Sequence, residues 1–299
     1  SRTCLGMREN TLFEATQIKP APGTGWRVVG VDPAPSKKST ICYAIEGGLA
    51  FEKLNPNQLH EFLISCQETD IRVLIVWDAP LTGPKELKPP TEGEYPEKNF
   101  SQRTIERFFG KSSNAHYTPD GINTLNYSGC QHWTITKAMT GLPLLGPYCQ
   151  KQNLPFNHVS ENAESKVLRG LSQPCIVEAH PALAIYLWLK DTFQKDDPVW
   201  KYKVKTEKND GTVFTKAKKR EKILSGLKTK IKASVPETVA SDDELDAFVA
   251  WALGYLYVMQ PEGQQKVRIL GNQKTGSMLL PYDEKLFEKF KTEFMVPES

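Results

Sequence analysis

The stretch Ile71–Asp78, which reads IRVLIVWD, gives the strongest strand signal in the sequence. It is a continuous run of apolar and mostly β-branched residues, a pattern typical of a buried strand. The run ends in an acid, and Pro80 follows within the turn. A shorter run with the same character, Arg27–Asp32, also ends in an acid, and Pro33 follows directly. The two runs predict buried strands with an aspartate at the carboxyl end of each.

The residues between these two runs predict how the strands connect. Thr40–Ile45 and Leu49–Leu54 have strand composition and enclose a Gly-Gly pair, which is a hairpin signal. Apolar residues at helical spacing follow from Leu59 to Cys66, with Asn55 placed as the helix cap. The order strand, strand, strand, helix, strand predicts a mixed sheet with a helix on one face. Cys175–Glu178 adds a fifth strand, which again ends in an acid.

The predicted architecture is therefore α/β, with a mixed five-stranded sheet flanked by helices. We expect a loose N-terminal arm at 1–25, the main domain at 26–260 and a C-terminal extension at 261–299. The domain would carry a long insertion at 81–130 after the fourth strand and a basic insertion at 196–235 before the last core helix. Further predicted helices cover 101–109, 134–145, 163–171, 183–189, 242–259 and 284–294.

Composition excludes several classes of protein. The 299 residues contain no apolar run of about 18 residues, so we expect no membrane span. The beginning of the sequence lacks a secretory signal pattern, and the six cysteines form no CxxC pair. We therefore expect a cytoplasmic protein with reduced thiols and without structural zinc.

Positive charge is concentrated in one block. Between Lys201 and Lys232 there are twelve Lys or Arg residues and three Asp or Glu residues, a local charge of +9 in a chain of net +3. The block indicates either a polyanionic partner or a solvated loop, and charge alone leaves both open. The block, together with the aromatic residues Trp200, Tyr202 and Phe214, could follow a nucleic-acid backbone.

The last core helix, Asp242–Met259, carries two further candidate acids. Ser241 and Glu244 form a capping box, and Asp243 and Asp246 lie three residues apart on one side of the first turns. Acids near a helix N-terminus favour the helix dipole, which accounts for Asp243. It accounts less well for Asp246, because aspartate is a poor residue for a helix interior.

These acids together predict a metal site. In open α/β sheets ligands bind outside the carboxyl ends of the strands. Carboxylates brought together there repel one another, and Mg²⁺ or Mn²⁺, which prefer carboxylate oxygen, would remove that cost. Two such ions about 3.5–4 Å apart can promote phosphodiester cleavage. The predicted catalytic residues are Asp32, Asp78, Glu178, Asp243 and Asp246, of which all but Glu178 are predicted metal ligands.

The chain resembles the domain of unknown function 429 family, described as predicted ribonuclease H-like nucleases. Four segments carry the resemblance, together with Arg103 and Glu106: Val29–Asp32, Trp77–Leu81, Val177–Ala182 and Asp242–Ala247. The last of these is also similar to the closing helix of Holliday junction resolvases. The resemblance implies a ribonuclease H-like sheet and a two-metal site at Asp32, Asp78 and either Asp243 or Asp246. Two features depart from the family pattern: Pro33-Ala34-Pro35 replaces a glycine-rich turn, and the lysine-rich block is unusual.

The hypothesis under this resemblance is a nuclease that acts on DNA or RNA. Asp32 would bridge both metals, and Glu178 would be a further ligand or would orient Arg103 or His180. His180 is a candidate proton shuttle with an alternative role as a helix cap. The predicted nucleic-acid contacts are Lys37, Lys38, Arg103, Lys218, Lys219 and Arg220.

Two other functions remain open from sequence. One is a non-catalytic nucleic-acid-binding or scaffold protein with the same fold. The other is an ATPase or phosphotransferase, which is disfavoured because the sequence has no GxxxxGK[ST] motif and no glycine-rich loop after Asp32. A serine hydrolase is disfavoured by the lack of a GxSxG motif.

Overall fold

The computed structural model describes residues 13–34, 38–68, 70–81, 103–118, 156–162, 174–261, 264 and 266–295. Several predictions lie outside these residues. They are the helices at 134–145 and 163–171, the candidate phosphate contact Lys37 and most of the insertion at 81–130.

The first three strands of the sheet are antiparallel neighbours, and the second and third form the predicted hairpin. β1 (Trp26–Asp32) pairs antiparallel with β2 (Ser39–Ile45), which pairs antiparallel with β3 (Gly48–Leu54). Gly47 lies in the turn with φ 79°, a backbone conformation that favours glycine. α1 (Pro56–Ser65) follows, and the Asn55 side chain accepts a hydrogen bond from the Gln58 amide at 2.9 Å. The predicted hairpin and helix cap are confirmed.

The remaining strands of the sheet run parallel to β1. β4 (Arg72–Trp77) pairs with β1, and β6 (Cys175–Glu178) pairs with β4. Between them in the chain are α2 (Thr104–Gly110) and β5 (Asn157–His158), which pairs with β6. The sheet order is β3-β2-β1-β4-β6-β5. The predicted count of five strands is corrected to six, because the two-residue β5 is too short to leave a periodic pattern.

The C-terminal half supplies further helices and two small hairpins. Their bounds are α3 (Pro181–Leu189), β7 (Thr206–Glu207), β8 (Val213–Phe214), α4 (Lys216–Lys230), α5 (Asp242–Met259), β9 (Val267–Asn272), β10 (Gly276–Pro281) and α6 (Glu284–Phe294). The basic block therefore contains a short hairpin and a helix, and most of its lysine side chains are exposed. α4 forms there because Ile223, Leu224 and Leu227 give it an apolar face that packs against α3.

Alternate residues of the strands fill a core on each face of the sheet. Val28 and Val76 point towards α5, whereas Val29 and Ile75 lie in the cluster that contains the apolar face of α1. Ile18 is 1% exposed within the α1 cluster, so residues 13–25 pack on the sheet where a loose arm was expected. The C-terminal hairpin of β9 and β10 also contributes to the α5 side of the core.

Two findings bear on the expectations from composition. No helix among the described residues has the length and apolar character needed to cross a membrane. Cys42, Cys66 and Cys175 are buried free thiols, and the other three cysteines lie outside the described residues.

Candidate metal centre

Asp32 and Asp78 are neighbours at the carboxyl edge of the sheet. The parallel pairing of β1 with β4 aligns Val31 with Trp77, so the residue after each of them faces the same edge. The Asp78 amide donates a hydrogen bond to the Val31 carbonyl at 2.9 Å, which extends the pairing to the acids themselves. Sheet register alone therefore brings two of the predicted ligands together.

A close contact between α5 and β1 brings in the third acid. A Cβ atom on Gly30 would lie 2.0 Å from the Ala247 carbonyl oxygen and 2.3 Å from the Trp251 amide nitrogen. Only glycine can occupy this position without moving the helix backbone. Gly254, further along α5, similarly lies against Val76. The first turns of α5 are thereby held against the strand that ends in Asp32.

Three carboxylates converge as a result. One oxygen from each of Asp32, Asp78 and Asp246 lies within 4.8 Å of the other two. Asp246 is 1% exposed, and the other two are partly buried. Asp243 is exposed and is not a member of this group. Of the two helix acids that the sequence left open, the structure places Asp246 with the strand acids.

Burial, together with the charges of the group itself, strongly raises the pKa of two of the acids. Loss of hydration is the largest cause for Asp32, followed by the charges of Asp78 and Asp246, and its pKa rises to about 9. The pKa of Asp78 rises to about 8, again through loss of hydration first and the charge of Asp246 second. The carboxylates therefore lack sufficient positive charge when no cation is bound.

Tyr202 and Lys203 are bound to Asp246. The buried Tyr202 hydroxyl donates to Asp246 Oδ1 at 2.5 Å, and Lys203 Nζ lies 2.5 Å from Oδ2. Burial raises the pKa of Tyr202, and the charge of Asp246 raises it further. From sequence, Tyr202 was a candidate only for contact with a nucleic-acid backbone, and Lys203 was not among the predicted site residues. A pair of residues more than forty positions from Asp246 has no local signal, apart from its place in the basic block.

Glu178 has a different role from the three aspartates. It is 2% exposed, and its carboxylate binds the Arg103 guanidinium through Nη1 at 2.8 Å and Nη2 at 2.5 Å. The same carboxylate accepts from the Leu81 amide at 2.8 Å, which anchors the turn that follows Asp78. Of the roles left open, the structure therefore shows Glu178 orienting Arg103, and it places Glu178 outside the three-aspartate group.

Two of the predicted nucleic-acid contacts must be corrected because their side chains are buried. Arg103 is 2% exposed and is ion-paired with both Glu106 and Glu178. Lys219 is 1% exposed, and its ammonium donates to the carbonyls of Lys201 and Val204. Both cations serve the interior of the protein and cannot reach a phosphate in this conformation.

The other predicted contacts differ in their surroundings. Arg220 Nη1 lies 2.7 Å from Asp242 Oδ1, so its charge is already paired. Lys38 and Lys218 are exposed. His180 is the N-cap of α3, and its Nδ1 accepts from the Leu183 amide at 3.3 Å. The structure thus shows the capping role for His180, while the proton-shuttle role stays a prediction.

Comparison with models of known families, with curated proteins and with solved structures found no match to this chain. The donors of the centre are all carboxylate oxygens, which fit a hard divalent cation such as Mg²⁺ or Mn²⁺ better than a soft one.

Proposed function

We propose that this protein is a metal-dependent nuclease with a ribonuclease H-like fold, acting on phosphodiester bonds. The observation that carries the proposal is the convergence of Asp32, Asp78 and Asp246 within 4.8 Å from three separate elements. The antiparallel strands β1, β2 and β3 and the parallel strands β4 and β6 support the ribonuclease H-like assignment. The order of the motifs along the chain supports it as well.

The electrostatics supports a divalent cation as the natural occupant. Three carboxylates carry a charge of −3 when ionised, and the single ammonium of Lys203 offsets one of these charges. The pKa values of Asp32 and Asp78 are raised by loss of hydration first and by the charges of the neighbouring carboxylates second. One or two Mg²⁺ or Mn²⁺ ions would supply the missing charge, with Asp32, Asp78 and Asp246 as ligands.

Each residue around the centre has a definable task in this proposal. When bound, the divalent ions would activate a water molecule and stabilise the leaving oxygen of the phosphodiester. Tyr202 orients Asp246 through its hydroxyl, and Glu178 holds the turn after Asp78 through the Leu81 amide. These contacts fix two ligands before any metal binds, which lowers the cost of assembling the site.

A polyanionic substrate fits the charge around the centre. Several exposed lysines lie in the same segment as Lys203: Lys201, Lys205 and Lys208. Lysine contacts to phosphate give affinity that is largely independent of sequence and falls with salt. The proposed substrate class is therefore a nucleic acid, either DNA or RNA.

The test is cleavage of labelled DNA and RNA substrates, single-stranded and duplex, by the purified chain with Mg²⁺ or Mn²⁺. We expect Asp32→Asn and Asp246→Asn to lose activity by at least about 10²-fold, because each removes a ligand. Asp70→Asn is the matched control, since Asp70 is exposed at the opposite end of β4. Wild-type cleavage rates in Asp32→Asn would exclude the assignment.

One observation favours a second candidate, a nucleic-acid-binding protein without catalysis. Lys203 already places a positive charge on Asp246, so the carboxylates have a counter-charge that does not depend on metal. This candidate predicts binding to DNA or RNA that weakens steeply with salt, and no cleavage with any divalent metal.

A further inference from the structure

We propose that Lys203 is an internal counter-ion that occupies part of the acidic centre in the metal-free protein and competes with divalent metal for Asp246. The inference rests on the proposed metal centre and assigns a role to a residue that the sequence did not single out. It concerns how the site is loaded, which is separate from the reaction that follows.

The ammonium of Lys203 contacts a carboxylate oxygen that a bound metal ion would need as a ligand. Lys203 Nζ lies 2.5 Å from Asp246 Oδ2, and its charge acts on Asp78 and Asp32 as well. The Tyr202 hydroxyl binds the other oxygen of Asp246, so both oxygens are engaged. A divalent ion that binds Oδ2 would meet the Lys203 ammonium at the same oxygen, where the two positive charges repel.

The backbone that carries Lys203 is fixed by buried contacts. Lys219 Nζ donates to the carbonyls of Lys201 and Val204 at 2.9 and 2.6 Å, and to Thr206 Oγ1 at 2.5 Å. Burying an ammonium is costly unless its hydrogen bonds are satisfied, as they are here. The contacts hold the segment 201–206 in position next to α5.

The Lys203 side chain, in contrast, can leave the site. It is 51% exposed, whereas the Tyr202 side chain beside it is 2% exposed. Rotation of a long exposed side chain requires no change in the fold. The ammonium can thus withdraw while Tyr202 continues to orient Asp246.

The difference in charge favours a divalent ion over the Lys203 ammonium at the three carboxylates. A divalent ion neutralises more of the three carboxylates than an ammonium does, and two cations in contact with the same carboxylate repel. Metal binding therefore expels Lys203 but must overcome its ion pair. The expelled ammonium stays tethered at the rim of the centre, where a phosphate of a polyanionic substrate can meet it.

The experiment compares Mn²⁺ binding by the wild-type 299-residue chain and by Lys203→Met, using calorimetry after removal of metal with EDTA. We expect Lys203→Met to bind Mn²⁺ more tightly, by roughly 5-fold to 150-fold, the usual range of coupling between two linked binding events. Lys205→Met is the matched control, because it removes the same charge from an exposed neighbour in the same segment, and its affinity should equal that of the wild type.

A second measurement uses the wild type alone and does not depend on the folding of a variant. Reductive methylation of lysines, followed by mass spectrometry, should modify Lys203 faster when Mn²⁺ saturates the centre, with Lys205 unchanged. A Lys203 rate that is unchanged or slower with Mn²⁺ would overturn the inference.

The outcomes separate this inference from the proposed function. If the wild type binds Mn²⁺ and Lys203→Met binds it equally or more weakly, Lys203 does not compete with metal and the nuclease proposal stands. If neither protein binds Mn²⁺, both proposals are wrong. If Lys203→Met binds more tightly and Lys205→Met does not, the competition is supported.

Discussion

Asp32 and Asp78 carry an electrostatic cost in the metal-free protein. Their pKa values of about 9 and about 8 lie far above the ordinary value of 3.8 for an aspartate. At a pH between 3.8 and these raised values, the two acids in the folded protein still hold protons that the unfolded chain has released. The contribution of the two acids to stability is therefore fully present below about pH 4 and is lost as the pH rises through 8 and 9.

Because stability should decrease as the pH rises, we can predict how the melting temperature of the protein in EDTA depends on pH. Its Tm should fall as the pH rises from 5 to 9, and a loss of about 2 kcal/mol would lower Tm by about 3 °C in a chain of 299 residues. Saturating Mg²⁺ or Mn²⁺ at pH 8 should raise Tm again, because metal binds the ionised carboxylates.

Differential scanning calorimetry across this pH range is the measurement. The double variant Asp32→Asn/Asp78→Asn is the control, and its Tm should vary much less with pH and should not respond to metal. A wild-type Tm that rises from pH 5 to 9 in EDTA would contradict the proposed state of the centre.

At the level of elements, the centre depends on how closely α5 approaches β1. Gly30 removes the Cβ that would overlap the helix backbone near Ala247 and Trp251. The helix is thereby close enough for Asp246 to meet two acids that the sheet register had already aligned. A backbone neighbour cannot rotate away as a side chain can, so this packing tolerates little change.

We expect Gly30→Ala to destabilise the protein by about 3 kcal/mol or more, at the upper end of the range for an overfilled core. It should also weaken Mn²⁺ binding, because α5 must shift and Asp246 moves with it. Urea denaturation and calorimetric titration provide the two measurements.

Gly48→Ala serves as the control for this prediction. Gly48 also lies in a strand of the sheet, but a Cβ there would meet nothing within 4 Å. Its stability should stay within about 0.5 kcal/mol of the wild type. Unchanged stability and metal affinity in Gly30→Ala would mean that the helix does not need this close contact.

Across the whole molecule, a buried ion network ties distant parts of the chain to the centre. Arg103 precedes α2 and binds Glu178 at the end of β6, and Glu178 in turn holds the Leu81 amide after Asp78. The C-terminal hairpin joins the same region, since the Thr275 carbonyl accepts from the Ile105 amide at 3.0 Å. The insertion and the C-terminal residues are thus coupled to the edge of the sheet.

Removing the cation of this network should be costly. We expect Arg103→Met to destabilise the protein by about 3–5 kcal/mol, because it removes the guanidinium that pairs with the buried Glu106 and Glu178. Adding Glu178→Gln to Arg103→Met should restore part of the loss, since it removes one of the unpaired charges. Guanidinium chloride unfolding measures both effects.

An exposed ion pair gives the comparison for this prediction. Lys19 and Glu46 form a salt bridge at 2.7 Å with side chains that are 45% and 91% exposed. Breaking it with Lys19→Met should change the unfolding midpoint very little, because solvent screens such pairs. Equal effects of Arg103→Met and Lys19→Met on unfolding would show that the buried Arg103 network stabilises the protein no more than an exposed ion pair does.

The sequence by itself determined the features that arise from local patterns. Apolar runs that end in acid and proline predicted β1 and β4 with Asp32 and Asp78 at their carboxyl ends. The pairing of Ser241 with Glu244 and the apolar spacing after them predicted α5. Hydrophobic periodicity and capping are properties of neighbouring residues, so one short window of sequence contains the whole signal.

Only the tertiary structure decided which side chains meet. Asp246 lies with the strand acids and Asp243 does not. The distance between α5 and the sheet depends on Gly30, which lies on β1. Lys203 contacts Asp246, and Arg103 binds Glu178 across 75 positions of the chain. These contacts join residues that are far apart in sequence, and the packing of whole elements, which no local pattern encodes, brings them together.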